Sequence, residues 1–140
     1  MIVKKMSSSD DISGYNSPEA NALKDLIDEL EKNFQEPKGE CLLEFYYYIT
    51  KGGGFRNGVW IRINKSDRWI FVLANPNDSK KTDIHSAVDL KCPKYPQPTP
   101  GKHYLPEDFT TPAYYEGNSV ESIDYNQLMQ EIINRLDCVC

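Results

Sequence analysis

No stretch of this 140-residue chain approaches the ~20 consecutive apolar residues that a membrane-crossing helix needs. Lys4 and Lys5 are followed by the polar residues Ser7 to Asp11 instead of an apolar run, so no secretory signal is read at the start. Both absences set the expectation of a soluble, cytoplasmic protein without a membrane partner. Histidine is scarce, with only His85 and His103, and neither has the spacing to cysteine that a zinc site requires. A Gly-x-Ser-x-Gly nucleophile turn is missing, which argues against a serine hydrolase. Lys51-Gly52-Gly53-Gly54-Phe55 lacks the Gly-Lys-Ser/Thr and following helix of a phosphate-binding loop. No metal or cofactor is therefore called for, and the chain is read as a protein that is not an enzyme.

Cysteine is present but sparse, at positions 41, 92, 138 and 140. That density is far from a secreted disulfide scaffold, and the thiols are expected to be reduced. Cys41 falls in an apolar run and reads as a small core residue. Cys138-Val139-Cys140 reads as a frayed terminus. The ending resembles the doubly prenylated tail of Rab-type GTPases, but their phosphate-binding loop is absent, so lipidation is not expected. Cys92 and His85 lie seven apart with Lys91 and Pro93 flanking the cysteine, a poor setting for a thiol catalyst.

Helix signals are clear at two places. Ser17-Pro18-Glu19 offers a hydroxyl cap, proline at the first helical position and an acid in the first turn. Leu23, Leu26, Ile27, Leu30 and Phe34 follow at helical spacing until Pro37 and Gly39. Near the end, Asp124 and Gln127 form a capping box ahead of Leu128, Met129, Ile132, Ile133 and Leu136. Between the helices, residues 40–50 alternate, as do 59–63, and Arg68 to Leu73 return after a turn at Asn64 to Asp67. Ile84 to Leu90 reads as either a short strand or a helical turn. The six prolines between 93 and 112 predict irregular chain. The expectation is an α+β fold. It has an antiparallel three- to four-stranded β-meander, flanked by an N-terminal and a C-terminal α-helix packed on one face, with a long Pro-rich irregular segment. Residues 1–16 are read as a flexible N-terminal segment and 17–140 as a single domain.

Charge is segregated along the chain. Residues 10–36 hold eight acids against two lysines, and 106–137 hold seven acids against Arg135 alone, a balance of −6 in each. Residues 37–105 carry eleven Lys or Arg against six acids. The helices are thus acid-faced and the sheet region basic, which favours a basic protein partner and disfavours nucleic acid on the helical side.

If Leu43, Phe45 and Ile61 face the core, alternation turns Tyr46, Tyr48, Trp60 and Arg62 to the reverse face, with Arg68 joining them in one register. Either the Pro/Tyr-rich segment 92–115 covers these groups or a partner does. Tyr, Trp and Arg are the types enriched at interface hot spots. They are the candidate contact residues, together with the acidic loop around Glu107, Asp108 and Glu116. As adjacent acids, Glu107 and Asp108 do not form an acid/base pair without a special turn. A fragmentary likeness to the RNA-recognition fingerprint (Lys51, Gly52, Gly54, Phe55) leaves single-stranded RNA binding as an alternative. In general shape the chain resembles the bacterial immunity proteins, which neutralise toxins, and the small secretion-type chaperones that hold an effector. The resemblance implies a protein partner, either a basic toxin whose active site is covered or an exported effector.

Overall fold

The computed structural model describes residues 2–5, 16–35, 41–49, 58–66, 68–78, 80–88, 90, 92–95, 99–104, 112–115 and 120–140. Helix α1 (Pro18–Asn33) starts where its cap predicts: Ser17 Oγ accepts the Ala20 N–H at 3.1 Å. Helix α2 (Tyr125–Val139) opens with the full capping box, Asp124 accepting from the Gln127 N–H while the Gln127 side chain accepts from the Asp124 N–H. Reciprocal capping satisfies two of the helix's orphan donors, and losing such a cap costs about 1 kcal/mol.

Among the described residues, six strands form one antiparallel sheet in the order β1 (Ile2–Lys5), β2 (Leu43–Ile49), β3 (Gly58–Ile63), β4 (Arg68–Ala74), β5 (Thr82–Val88), β8 (Val120–Ile123). The predicted meander is there as β2 to β5, and the α+β class holds. The sheet is wider than expected because short strands extend it at both edges. Residues 2–5, expected to be flexible, pair with Tyr46 to Ile49; of the remainder of segment 1–16, Met1 and residues 6–15 lie outside the described residues. Part of the Pro-rich segment is ordered too. Strands β6 (Thr99–Tyr104) and β7 (Pro112–Tyr115) pair as a separate hairpin. Proline cannot donate to a ladder, so it is tolerated on edge strands, and a two-stranded hairpin consists only of edges.

Both helices pack on the same face of the sheet. Leu23, Leu26, Ile27 and Leu30 of α1 and Leu128, Ile132 and Leu136 of α2 share one core with Phe45, Tyr47, Val59, Ile61, Ile63, Ile70, Val72 and Ile84. These strand residues occupy alternate positions, as the period of two requires. Between β4 and β5 the register slips: Phe71 opposes Ser86, but Val72 opposes Ile84, leaving His85 as the extra residue of a bulge.

The β3–β4 connection departs from its usual chemistry. Ser66 N–H bonds the Ile63 carbonyl at 3.0 Å, and both central residues, Asn64 (φ 54°) and Lys65 (φ 52°), are left-handed. Asparagine tolerates that conformation and lysine adopts it at a cost, the usual partner being glycine. Lys65→Gly is therefore expected to raise stability by about 0.5–1 kcal/mol, read as a higher urea midpoint at unchanged slope. A lower midpoint would contradict it.

All four cysteines are disulfide-bonded, Cys41 to Cys140 and Cys92 to Cys138. This corrects the expectation of reduced thiols and a frayed terminus. Helix α2 runs on to Val139, and the Cys140 N–H caps the Leu136 carbonyl at 2.8 Å. Spacing along the chain cannot reveal such pairs, because 99 residues separate Cys41 from Cys140.

Candidate functional site

Of the two outcomes left open for the reverse face of the sheet, cover within the chain is the one observed at its aromatic centre. Trp60, Trp69 and Phe71 are each at most 1% exposed. Trp60 stacks on Phe71 with ring centroids 4.3 Å apart and meets Trp69 edge-on at 6.2 Å. Tyr46 adds a further edge contact to Trp69 at 5.5 Å. Such aromatic pairs contribute beyond their buried area. Gly58 belongs to this packing: a Cβ built there would lie 2.5 Å from the Phe71 ring, so the close approach requires the missing side chain. Neither the Trp60 nor the Trp69 indole N–H has a hydrogen-bond partner among the described residues.

The predicted contact residues separate accordingly. Trp60 is core. Tyr46 is half-buried, its hydroxyl donating to Glu44 at 3.2 Å. Arg62 is half-buried over the Trp69 ring at 5.3 Å, and its Nε donates to the Ser66 carbonyl at 2.7 Å. The backbone of Tyr48 pairs with Val3, and its side chain lies outside the described set. Arg68 falls on the opposite face, because it pairs directly with the core residue Ile63 across a four-residue loop. Glu107, Asp108 and Glu116 lie outside the described residues.

A different surface gathers polar groups. Asp25, Asp28 and Glu29 of α1, Tyr125 at the start of α2 and Lys80 in the β4–β5 connection line a cleft of about 340 Å³. The spacing of 25, 28 and 29 puts the three acids on one side of the helix. Asp25 and Asp28 are exposed, and Glu29 and Tyr125 are half-buried. None of these residues was among the contact residues expected from the sequence; the signal for the helical part was the excess of acids over residues 10–36. The arrival of Tyr125 and Lys80 depends on how α2 and the β4–β5 turn meet α1, which no local pattern encodes.

The field in this cleft acts on Tyr125. Burial, and then the carboxylates of Asp25, Glu29, Asp28 and Asp78, push its phenol from 10.0 up to about 12. The folded chain thus holds this proton more tightly than the unfolded one. The associated stability is complete below pH 10 and is lost as pH rises through about 12. Stability measured by urea titration across that window is expected to fall more steeply for the native chain than for Tyr125→Phe. Identical slopes would contradict the assignment.

Among the described residues, no group of three or more His, Cys, Asp or Glu is arranged to hold a metal ion. The cleft offers carboxylates, one amine and one phenol, a set suited to ion pairing and hydrogen bonding with a cationic surface. Comparison with protein-family models, with curated proteins and with solved structures finds no match to this chain.

Proposed function

We propose that the chain is a non-catalytic protein-binding protein that meets a basic partner through the acidic cleft between α1 and α2, in the manner of an immunity protein neutralising a toxin. The observation that carries this reading is the set of three carboxylates, Asp25, Asp28 and Glu29, presented on one helical face against a single lysine in the cleft. An acidic surface of this kind accelerates encounter with a cationic partner and repels phosphate backbones. The aromatic face no longer supports an interface by way of Trp60, and single-stranded RNA recognition loses its stacking platform with it. No helix among the described residues is long and apolar enough to cross a membrane. The cytoplasmic expectation rested on the absence of a secretory signal and of a membrane-spanning run, whereas two disulfides favour an oxidising compartment.

The test compares the native chain with the combined variant Asp25→Lys, Asp28→Lys, Glu29→Lys as immobilised bait for proteins of its host. The reading expects a basic protein whose association with the variant is slower by about tenfold or more at low salt. It also expects that protein's growth inhibition to be relieved by co-expression of the native chain. Equal retention by both baits would contradict the assigned surface. A partner whose toxicity is unaffected would contradict the immunity reading.

A further inference from the structure

Helix α2 ends in Cys138-Val139-Cys140, and both cysteines are tied to the body of the protein. Cys140 bonds Cys41 just ahead of β2, with the two Cα atoms 5.7 Å apart, and Cys138 bonds Cys92, with Cα atoms 5.8 Å apart. Cys138 lies in the last turn of α2 and Cys140 caps it, and their bonds run to separate parts of the chain, so the end of the helix is gripped between two anchors. One anchor lies at the β3–β4 turn, where the Asn64 amide nitrogen is 3.8 Å from the Cys41 sulfur. The other is the turn at residues 92–95, where the Arg135 guanidinium lies over the Tyr95 ring at 4.4 Å. The anchoring cysteines, 41 and 92, are buried in the core, whereas Cys138 and Cys140 are exposed residues. A reductant can therefore meet each bond from the helix side.

We propose that this pair of bonds is a redox-operated clasp on the end of α2. Closed, it holds the last two turns of the helix on the core. A dithiol opens it: two electrons pass to each disulfide, giving two protein thiols, and the dithiol leaves as its own cyclic disulfide. Two equivalents open both bonds. The freed segment, from about Ile133 onward, then frays and uncovers Leu136 and Cys92, which are 3% and 5% exposed in the closed form. The sheet and α1 keep their packing, because the strands are held by their own ladders and α1 meets the sheet at β3 and β4, whereas α2 meets it at β5. The clasp lies at the opposite end of α2 from Tyr125, about 20 Å away for a helix of 15 residues. It is thus separable from the acidic cleft, and it stands or falls independently of the proposed partner.

Hydrogen exchange read by mass spectrometry on the full chain, with and without dithiothreitol, tests the proposal. Peptides from the unreduced chain are expected to be crosslinked 41 to 140 and 92 to 138. On reduction, amides in residues 133–140 are expected to lose about a hundredfold more protection than those of β3 and β4. The variant Cys41→Ala, Cys140→Ser, which keeps the second bond, is expected to loosen only the final turn. Four free thiols in the chain isolated from its host would overturn the clasp. So would an unchanged α2, a sheet that loses protection in step with the helix, or a variant that does not fold.

Discussion

Trp60→Ala is expected to destabilise the chain by about 3–5 kcal/mol, the range for emptying a buried aromatic site. The ring is fully buried and stacked on Phe71, whose own ring fills the space that Gly58 leaves free. Removing it leaves a cavity flanked by Trp69 and Phe71, both pinned by the β4 ladder and unable to collapse far. Trp60→Phe is expected to cost much less, about 1–2 kcal/mol, because it keeps a stacked ring and gives up an indole N–H that has no partner among the described residues. A surface contact residue would behave differently: its truncation would leave stability within about 0.5 kcal/mol and weaken only binding. Urea titration of the two variants separates these cases. A loss below about 1 kcal/mol for Trp60→Ala would return the residue to the surface.

Opening Cys41–Cys140 in the variant Cys41→Ala, Cys140→Ser is expected to cost about 2–4 kcal/mol. Alanine at 41 avoids leaving a hydroxyl unpaired in a fully buried position. The bond closes a loop of 99 residues and Cys92–Cys138 one of 46. Loop entropy grows only logarithmically, so the two bonds are expected to differ by less than about 1 kcal/mol despite that twofold difference in span. Stability should be compared by urea titration without reductant. Adding dithiothreitol should then lower the native chain by more than either single-bond variant. A native chain indifferent to reductant would contradict both bonds.

Sequence patterns reached some of these features and not others, for physical reasons. Helices α1 and α2 were legible because caps and a 3.6-residue apolar stripe coincide in each. The meander was legible because β2 and β3 alternate over six or seven residues and β4 follows as a short apolar run bounded by turn residues. Strands β1 and β8 have four residues each, too few for a period of two to stand out, and β5 carries a bulge at His85 that breaks its alternation. Alternation did place Trp60 and Tyr46 on the face opposite Phe45 and Ile61. It says which face a side chain takes, not whether that face is covered. The face of Arg68 was left open for a related reason: it depends on the length of the loop after Ile63, and a one-residue change of register moves it across the sheet. The cysteine pairs were beyond reach, since four cysteines allow three connectivities and the chain's own density pointed to none of them.

The candidate site divides in the same way. Asp25, Asp28 and Glu29 are neighbours on one helix, so local spacing finds them. Tyr125 joins them from nearly a hundred residues further on, and its perturbed phenol is a consequence of tertiary placement. Glu107, Asp108 and Glu116 stay as the other acidic candidates, and their contribution is best read by charge reversal alongside the α1 triplet.

The chain contains two tryptophans, Trp60 and Trp69, and both lie on the face opposite the helices. Quenching of native tryptophan fluorescence by acrylamide therefore reports on that face alone. Blue-shifted emission and quenching several-fold weaker than in the urea-unfolded chain are expected, because both indoles are at most 1% exposed. Native quenching as strong as that of the unfolded chain would mean that the rings are open to solvent, and the aromatic face would again be the surface this protein offers to a partner.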